Sequence, residues 1–232
     1  YGVVETVAHF LAAKKIEPEV SFILDIGGQD IKAIFVQNNT IANIEINEAC
    51  SSGCGSFIEG FANTLGYNPS DFSTLATQSK APYDLGTRCT VFMNSKVKQA
   101  LRDGATVSDL SAGLAYSVVK NCLNKVLHIK SNSEIGDNIV VQGGTFKNKA
   151  VFRSLEILSG KKIVVSDKPE LMGAYGAALY ALNKSNSEGL SSSFIGFQNL
   201  EKTVDYTIKL STCKVCTNNC QITTYKFPNG SN

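Results

Sequence analysis

The stretch Val20-Ser21-Phe22-Ile23-Leu24-Asp25-Ile26-Gly27-Gly28-Gln29-Asp30-Ile31-Lys32-Ala33-Ile34-Phe35-Val36 decides how the rest of the chain is read. Two runs rich in strand-forming residues flank Gly27-Gly28. Gln37-Asn38-Asn39-Thr40 then reads as a turn, and Ile41-Ala42-Asn43-Ile44-Glu45-Ile46 as a third run. The pattern predicts a meander of three strands with a glycine turn between the first two. Asp25 ends a strand, and two glycines let backbone N–H groups come close to an anion such as phosphate. Gln29 and Asp30 add polar side chains able to hold a metal-bound water or to orient a nucleophilic one. A plain Asp-Gly hairpin turn accounts for the same residues.

On the N-terminal side, Val4, Val7, Ala8, Leu11 and Ala12 recur at helical spacing and predict an amphipathic helix over 4–15, ended by Pro18. On the C-terminal side, Phe57, Ile58, Phe61, Ala62 and Leu65 predict a helix that stops at Gly66. Pro69-Ser70-Asp71-Phe72 reads as a short helix start. A further amphipathic helix runs over 91–101, and a long one over 107–128 carries Leu110, Leu114, Val118, Cys122 and Val126 as its core stripe. Ile139-Val140-Val141-Gln142 predicts a short buried strand that enters Gly143-Gly144, with a helix through Val151, Leu155 and Leu158 behind it. A strand, two glycines and a helix make a second place where backbone can approach a ligand. Ile163-Val164-Val165 reads as another strand. Pro169 opens a helix over 171–182 whose Gly173, Ala174, Gly176, Ala177 and Ala178 permit very close packing against a neighbour or a nucleotide.

Cys50 and Cys89 each follow small or polar residues and precede a stretch that reads as helix. Such a place favours a thiolate, the form that binds metal or attacks an electrophile. Burial as a small hydrophobe is the ordinary alternative. They lie 39 residues apart, no standard zinc or iron–sulfur spacing within one chain. Near the C-terminus, Cys213-Lys214-Val215-Cys216-Thr217-Asn218-Asn219-Cys220 has a C-x2-C-x3-C spacing that suits metal chelation but lacks a local fourth ligand. Free thiols are the alternative there.

The 232 residues are 43% hydrophobic and 18% charged, with a net charge of +2. This suits a globular chain with a real core and gives no nucleic-acid or anionic-membrane surface. No apolar run approaches the roughly 20 residues of a membrane span. Tyr1-Gly2-Val3-Val4-Glu5 has neither a signal-peptide pattern nor a Met, so the chain reads as a piece of something longer. Seven cysteines, an odd number, do not make a secreted disulfide framework, and a reducing cytoplasm is the expected location.

Four motifs in order carry a family resemblance. They are Leu24-Asp25-Ile26-Gly27-Gly28-Gln29-Asp30-Ile31-Lys32, Asn47-Glu48-Ala49-Cys50-Ser51-Ser52-Gly53, Cys89-Thr90-Val91-Phe92, and Gly143-Gly144 with Gly173-Ala174-Tyr175-Gly176-Ala177-Ala178. Together they resemble the activator ATPases of 2-hydroxyacyl-CoA dehydratases and their relatives in benzoyl-CoA reductase systems, over about residues 1–182. The continuation makes the chain look most like a piece of the long, multidomain activase-like proteins.

The resemblance implies an α/β, actin/hexokinase/Hsp70-like (ribonuclease H-like) ATPase half-domain, with a mixed sheet and flanking helices over 1–182. A linker over 183–200 and a cysteine-bearing extension over 201–232 would follow. It implies ATP/ADP with Mg2+ and a [4Fe-4S] cluster at a homodimer interface, held by Cys50 and Cys89 of each subunit. Two chains then supply the four thiolates that one chain lacks. Asp25 and Gln29 would order the attacking water or Mg2+. Gly27, Gly28, Asp30 and Lys32 would form a phosphate segment, and Gly143 and Gly144 an adenosine-contacting one. The partner would be an acyl-CoA dehydratase or reductase component. Such ATPases carry a first half with its own Asp-x-Gly loop, so this half alone is expected to bind and hydrolyse ATP poorly. Cys54 stands where short activators usually have threonine, and Met93-Asn94-Ser95-Lys96 replaces a more acidic stretch. A small-metabolite kinase of the same fold and a scaffold domain without the cluster are the alternatives.

Overall fold

The computed structural model describes residues 2–48, 53–129, 131, 133–189, 191–192, 194, 196–200 and 205–227. Contacts divide the chain into two units, residues 1–184 and 185–232.

The first unit is built on a five-stranded mixed sheet. Its strands are β1 (Phe22–Ile26), β2 (Ile31–Gln37), β3 (Thr40–Asn47), β4 (Ile139–Gln142) and β5 (Ile163–Val165), in the spatial order β3-β2-β1-β4-β5. The meander β1-β2-β3 is antiparallel, as its turns predict. Asn38 and Asn39 both take left-handed φ angles, 49° and 63°, which a tight two-residue hairpin demands and asparagine tolerates. β4 and β5 run parallel to β1, with Asp25 opposite Gln142. This pairing joins residues 117 positions apart and depends on a long crossover.

The period of two sorts β1 between two cores. Phe22, Leu24 and Ile26 enter the larger core with α2 (Gly55–Thr64), α3 (Pro69–Thr77), α4 (Thr90–Arg102), α5 (Val107–Lys120) and α6 (Lys149–Ser159). Ile23 instead meets Ile34, Val36, Val140 and Ala13 of α1 (Glu5–Ile16) on the other face. Asp25 lies two residues beyond Ile23, so it too faces α1.

Three elements differ from their expected form. α1 buries Thr6, Ala8, His9, Ala12 and Ala13, while Val4 is exposed. Close packing sets that face: a Cβ on Gly176 of α7 (Met172–Glu188) would sit 1.7 Å from the Ala8 carbonyl oxygen, so the two backbones nearly touch. Only small residues permit this, and hydropathy does not register it. The long helix over 107–128 becomes α5 plus a π-helical segment, Asn121–Val126. There the chain passes Gly53, whose Cβ would lie 3.4 Å from the Cys122 amide nitrogen. Finally, α7 continues through Glu188, into the stretch expected as linker.

The second unit holds a short helix α8 (Phe197–Leu200) and one antiparallel hairpin, β6 (Thr207–Thr212) with β7 (Gln221–Lys226). Among the described residues, no helix is long and apolar enough to cross a membrane.

Candidate functional site

The two glycine turns meet. β1 and β4 are adjacent and parallel, so Gly27 and Gly143 both emerge at carboxyl ends of neighbouring strands, the usual place for ligands in open α/β sheets. The first turn closes with the Gly27 amide donating to the Asp30 carbonyl at 2.9 Å. The Gly27 carbonyl accepts from the Gly55 amide at 3.0 Å and from Thr145 Oγ1 at 2.9 Å, and the Gly28 carbonyl accepts from the Ser56 amide at 2.9 Å. The turn is thus pinned by the start of α2 on one side and by the second glycine turn on the other. Around Gly28 a Cβ would meet nothing within 4 Å, and this open side faces solvent.

Gly143 has φ 92° and ψ 153°, a conformation only glycine adopts readily. A Cβ there would lie 2.2 Å from the Ile26 carbonyl oxygen and 2.7 Å from Asp25 Oδ1. Gly144 is exposed and begins the 3-10 turn Gly144–Lys147. Behind it, Asn148 caps α6, its Oδ1 accepting from the Ala150 and Val151 amides at 2.9 and 3.2 Å. The same oxygen accepts from Ser73 Oγ of α3 at 2.9 Å.

Gly28, Ser56, Ser73, Thr77, Gly144 and Thr145 are among the residues lining a cleft of about 650 Å3. One wall is backbone at the glycine turns, and the other is the hydroxyl face of α3. Such a surface offers donors to an anionic, polar ligand rather than an apolar slot.

A buried polar cluster backs the turns. Asp25 is 5% exposed; burial, the largest influence, raises its carboxyl above the ordinary range, and His9 and Lys32 offset this only in part. His9 Nε2 lies 3.6 Å from both Asp25 Oδ2 and Glu5 Oε1. Gln142, fully buried, donates from Nε2 to the His9 carbonyl at 3.0 Å while its Oε1 accepts from His9 Nδ1. The Gln142 amide therefore fixes a proton on Nδ1 and turns Nε2 toward the carboxylates. Lys32 Nζ pairs with Glu5 at 3.2 Å and with Asp30. Burial alone would lower its pKa, but the hydrogen bonds to Asp30 and Glu5 hold it above the usual ammonium range.

The expected site residues do not all come together. Gly27, Gly28, Asp30, Gly143 and Gly144 come together at the strand ends, and Asp25 lies directly beneath them. Gln29 is exposed at the tip of the turn. Lys32 is committed to ion pairs on the α1 side, away from the cleft lining. Cys89 is exposed at the N-cap of α4, its carbonyl accepting from the Met93 amide at 2.9 Å. Val91 and Phe92 beside it are exposed as well. Cys50 lies outside the described residues. Cys122 and Cys54 are buried, and burial, with Cys54 close by, pushes the Cys122 thiol far up, as suits core packing.

Thr145, Glu5, His9, Gln142 and the α3 hydroxyls were not singled out from sequence. The i, i+4 spacing of Glu5 and His9 was a readable sign for one helix face. Nothing local marked Thr145 or Gln142.

The model of the BadF/BadG/BcrA/BcrD ATPase family matches residues 3–181. The chain belongs to this family. The (R)-2-hydroxyglutaryl-CoA dehydratase activating ATPase of Acidaminococcus fermentans is 35% identical over 181 residues, 78% of this chain and 68% of that protein. The crystal structure of that organism's dehydratase component A superposes with a TM-score of 0.72, covering 79% of this chain and 70% of that one. The activator of the 2-hydroxyisocaproyl-CoA dehydratase from Clostridium difficile, solved with bound ADPNP, is 30% identical with a TM-score of 0.72, covering 83% and 71%. This family member therefore has the actin/hexokinase/Hsp70-like fold, with a mixed sheet and flanking helices.

Proposed function

We propose that this chain is the nucleotide- and cluster-binding part of an ATP-dependent electron-transfer activator, acting on an acyl-CoA dehydratase or reductase. The observation that carries this reading is the meeting of two glycine turns over a polar cleft, in a chain of the BadF/BadG/BcrA/BcrD ATPase family. The named activators and the ADPNP complex among its relatives support it.

The residues present fit a nucleotide. Gly28 leaves open space where any side chain would stand between backbone and phosphate. Gly144 opens the cleft beside it. Asp25 and Gln29 would order Mg2+ or the attacking water, and the His9–Gln142 contact holds His9 in place beside Asp25. ATP chemistry would serve a change of shape rather than group transfer to a metabolite.

Cys89 also fits its assigned part. It is an exposed thiol at the N-cap of a 13-residue helix, beside exposed Val91 and Phe92 that a subunit interface would cover. Cys50 and Cys89 of two subunits would ligate one [4Fe-4S] cluster, which supplies low-potential one-electron transfer.

The test is anaerobic iron–sulfide reconstitution of the protein, with iron counting and EPR of the reduced sample. About two irons per chain, a four-iron cluster shared by two chains, are expected, lost with either Cys50→Ala or Cys89→Ala. Iron that ignores both changes rejects the cluster assignment. Phosphoryl transfer to a small metabolite would favour the kinase reading instead.

A further inference from the structure

We propose that Cys213, Cys216 and Cys220 form a soft-metal site, a three-thiolate zinc knuckle at the tip of the β6–β7 hairpin. This goes beyond the activator reading and does not depend on it.

The hairpin positions the three thiols. Its regular ladder ends at Thr212 opposite Gln221, and one further rung follows: the Cys213 amide donates to the Cys220 carbonyl at 2.8 Å. Cys213 and Cys220 therefore stand across from each other at the mouth of the loop, with side chains on one face. Cys216 lies within the loop. Asn219, at φ 48°, takes the left-handed turn that brings the chain back, and its Nδ2 donates to the Thr217 carbonyl at 3.3 Å. All three thiols are free, and Cys216 and Cys220 are exposed.

The chemistry of the segment points to a soft ion. Between Tyr206 and Phe227 there is no Asp, Glu or His, so thiolates are its only anionic ligands. Soft thiolates select zinc over magnesium or calcium, and a C-x2-C step lets two sulfurs share one ion. Lys209, Lys214 and Lys226 on the same hairpin offset the negative charge of three thiolates. Three thiolates hold the ion, and a fourth donor completes its tetrahedral coordination.

Energetics supplies the second, independent observation. No described residue of 185–232 is buried. Leu210 is 73% exposed, Val215 91% and Ile208 56%, while Tyr206 makes ring contacts with Tyr225, at 5.3 Å, and with Phe227, at 6.0 Å. Two strands with little buried apolar surface make a marginal hairpin in water, and an ion bound across its loop end adds binding energy to the ladder. The cysteines sit where a staple would close the loop end of the ladder.

Among the described residues, the trio with ligand atoms already within 4.8 Å is Glu5, His9 and Asp25, and there the Lys32 ammonium already serves as cation, 3.2 Å from Glu5. The tail sulfurs must rotate inward to meet an ion. Exposed side chains do so between ordinary staggered rotamers.

The experiment is Co(II) and Zn(II) titration of the full chain, purified reduced and without oxygen, followed by hydrogen exchange over 207–226. One ion per chain is expected, with sulfur-to-cobalt charge-transfer and tetrahedral d–d bands. Cys213→Ser, Cys216→Ser and Cys220→Ser should each weaken binding at least about tenfold. Zinc should slow hairpin exchange at least about tenfold, which a stray surface ion would not do. The proposal is overturned by cobalt bands that survive the three serine changes, by exchange indifferent to zinc, or by iron–sulfur absorption that depends on these three residues.

Discussion

Gly143→Ala separates the roles of the two glycines that close β4. Gly143 holds φ 92° and ψ 153°, and a methyl group there would sit 2.2 Å from the Ile26 carbonyl oxygen and 2.7 Å from Asp25 Oδ1. Two costs add. The backbone region is strained for any residue with a Cβ, by about 1–3 kcal/mol. The overlap must be relieved by parting the ends of β1 and β4, against the Asp25–Gln142 pairing and the 2.9 Å bond from the Gly143 amide to the Pro169 carbonyl. Overpacking of this kind costs about 1–3 kcal/mol more. The sum, about 2–6 kcal/mol, is a large part of an ordinary domain's 5–15 kcal/mol. At about 2–4 °C per kcal/mol for a chain of this size, the melting temperature should fall by about 4–24 °C.

Gly144→Ala is the control, because its Cβ would meet only Glu170 Cβ, at 3.9 Å, and its φ is not in the left-handed range. Its stability should stay within about 0.5 kcal/mol of the original. Gly28→Ala should likewise leave the fold intact, since nothing stands within 4 Å, yet weaken ADP binding at least about tenfold if phosphate approaches that backbone. Calorimetric melting and ADP titration read both effects. A Gly143→Ala melting point within 2 °C of the original, or an equal fall for Gly144→Ala, would refute the geometry (a 2 °C shift being about 0.5–1 kcal/mol).

Asp25→Asn should stabilise the fold relative to the original protein at neutral pH while abolishing nucleotide hydrolysis. Burial raises the Asp25 pKa above its ordinary 3.8, so its favourable contribution is present below that value and is lost as pH rises through the higher folded value. Urea midpoints should show the original protein losing ground to the variant between pH 4 and pH 7, and a gap that closes instead would reject this. Asn148→Ala removes the cap of α6 and the partner of Ser73, and should cost about 0.5–2 kcal/mol in urea unfolding. An unchanged midpoint there would mean that the cap contributes nothing.

Local chemistry made much of this fold readable. Gly27-Gly28 and Asn38-Asn39 had to turn, Gly66 had to end a helix, and the alternation of Phe22, Leu24 and Ile26 with Ile23 had to sort two faces. What stayed hidden is non-local. Nothing near Asp25 says that Gln142 will lie beside it. The buried face of α1 follows the approach of Gly176 to Ala8, a matter of atomic size rather than hydropathy. Thr145 is an unremarkable residue until its hydroxyl is seen bonded to the Gly27 carbonyl. Within the candidate site, the glycines were legible because few other residues fit those places. The Glu5–His9–Gln142 support was not, because buried polar groups advertise themselves only through their partners.

The hydrogen bonds of the first glycine turn suggest how the two halves of the proposed activity are joined. The Gly27 and Gly28 carbonyls are held by the amides of Gly55 and Ser56, the opening residues of α2. Cys50 lies five positions before Gly55 in the chain. A ligand that pulls the Gly27–Gly28 backbone toward itself must therefore stretch these bonds or carry the start of α2 with it. Helices move as stiff units, and the 10 residues of α2 are anchored in the large core through Phe57, Ile58, Phe61 and Ala62. On the proposed reading, phosphate occupancy of the nucleotide turn would act through these two hydrogen bonds on the opening residues of α2, the helix that follows Cys50 in the chain.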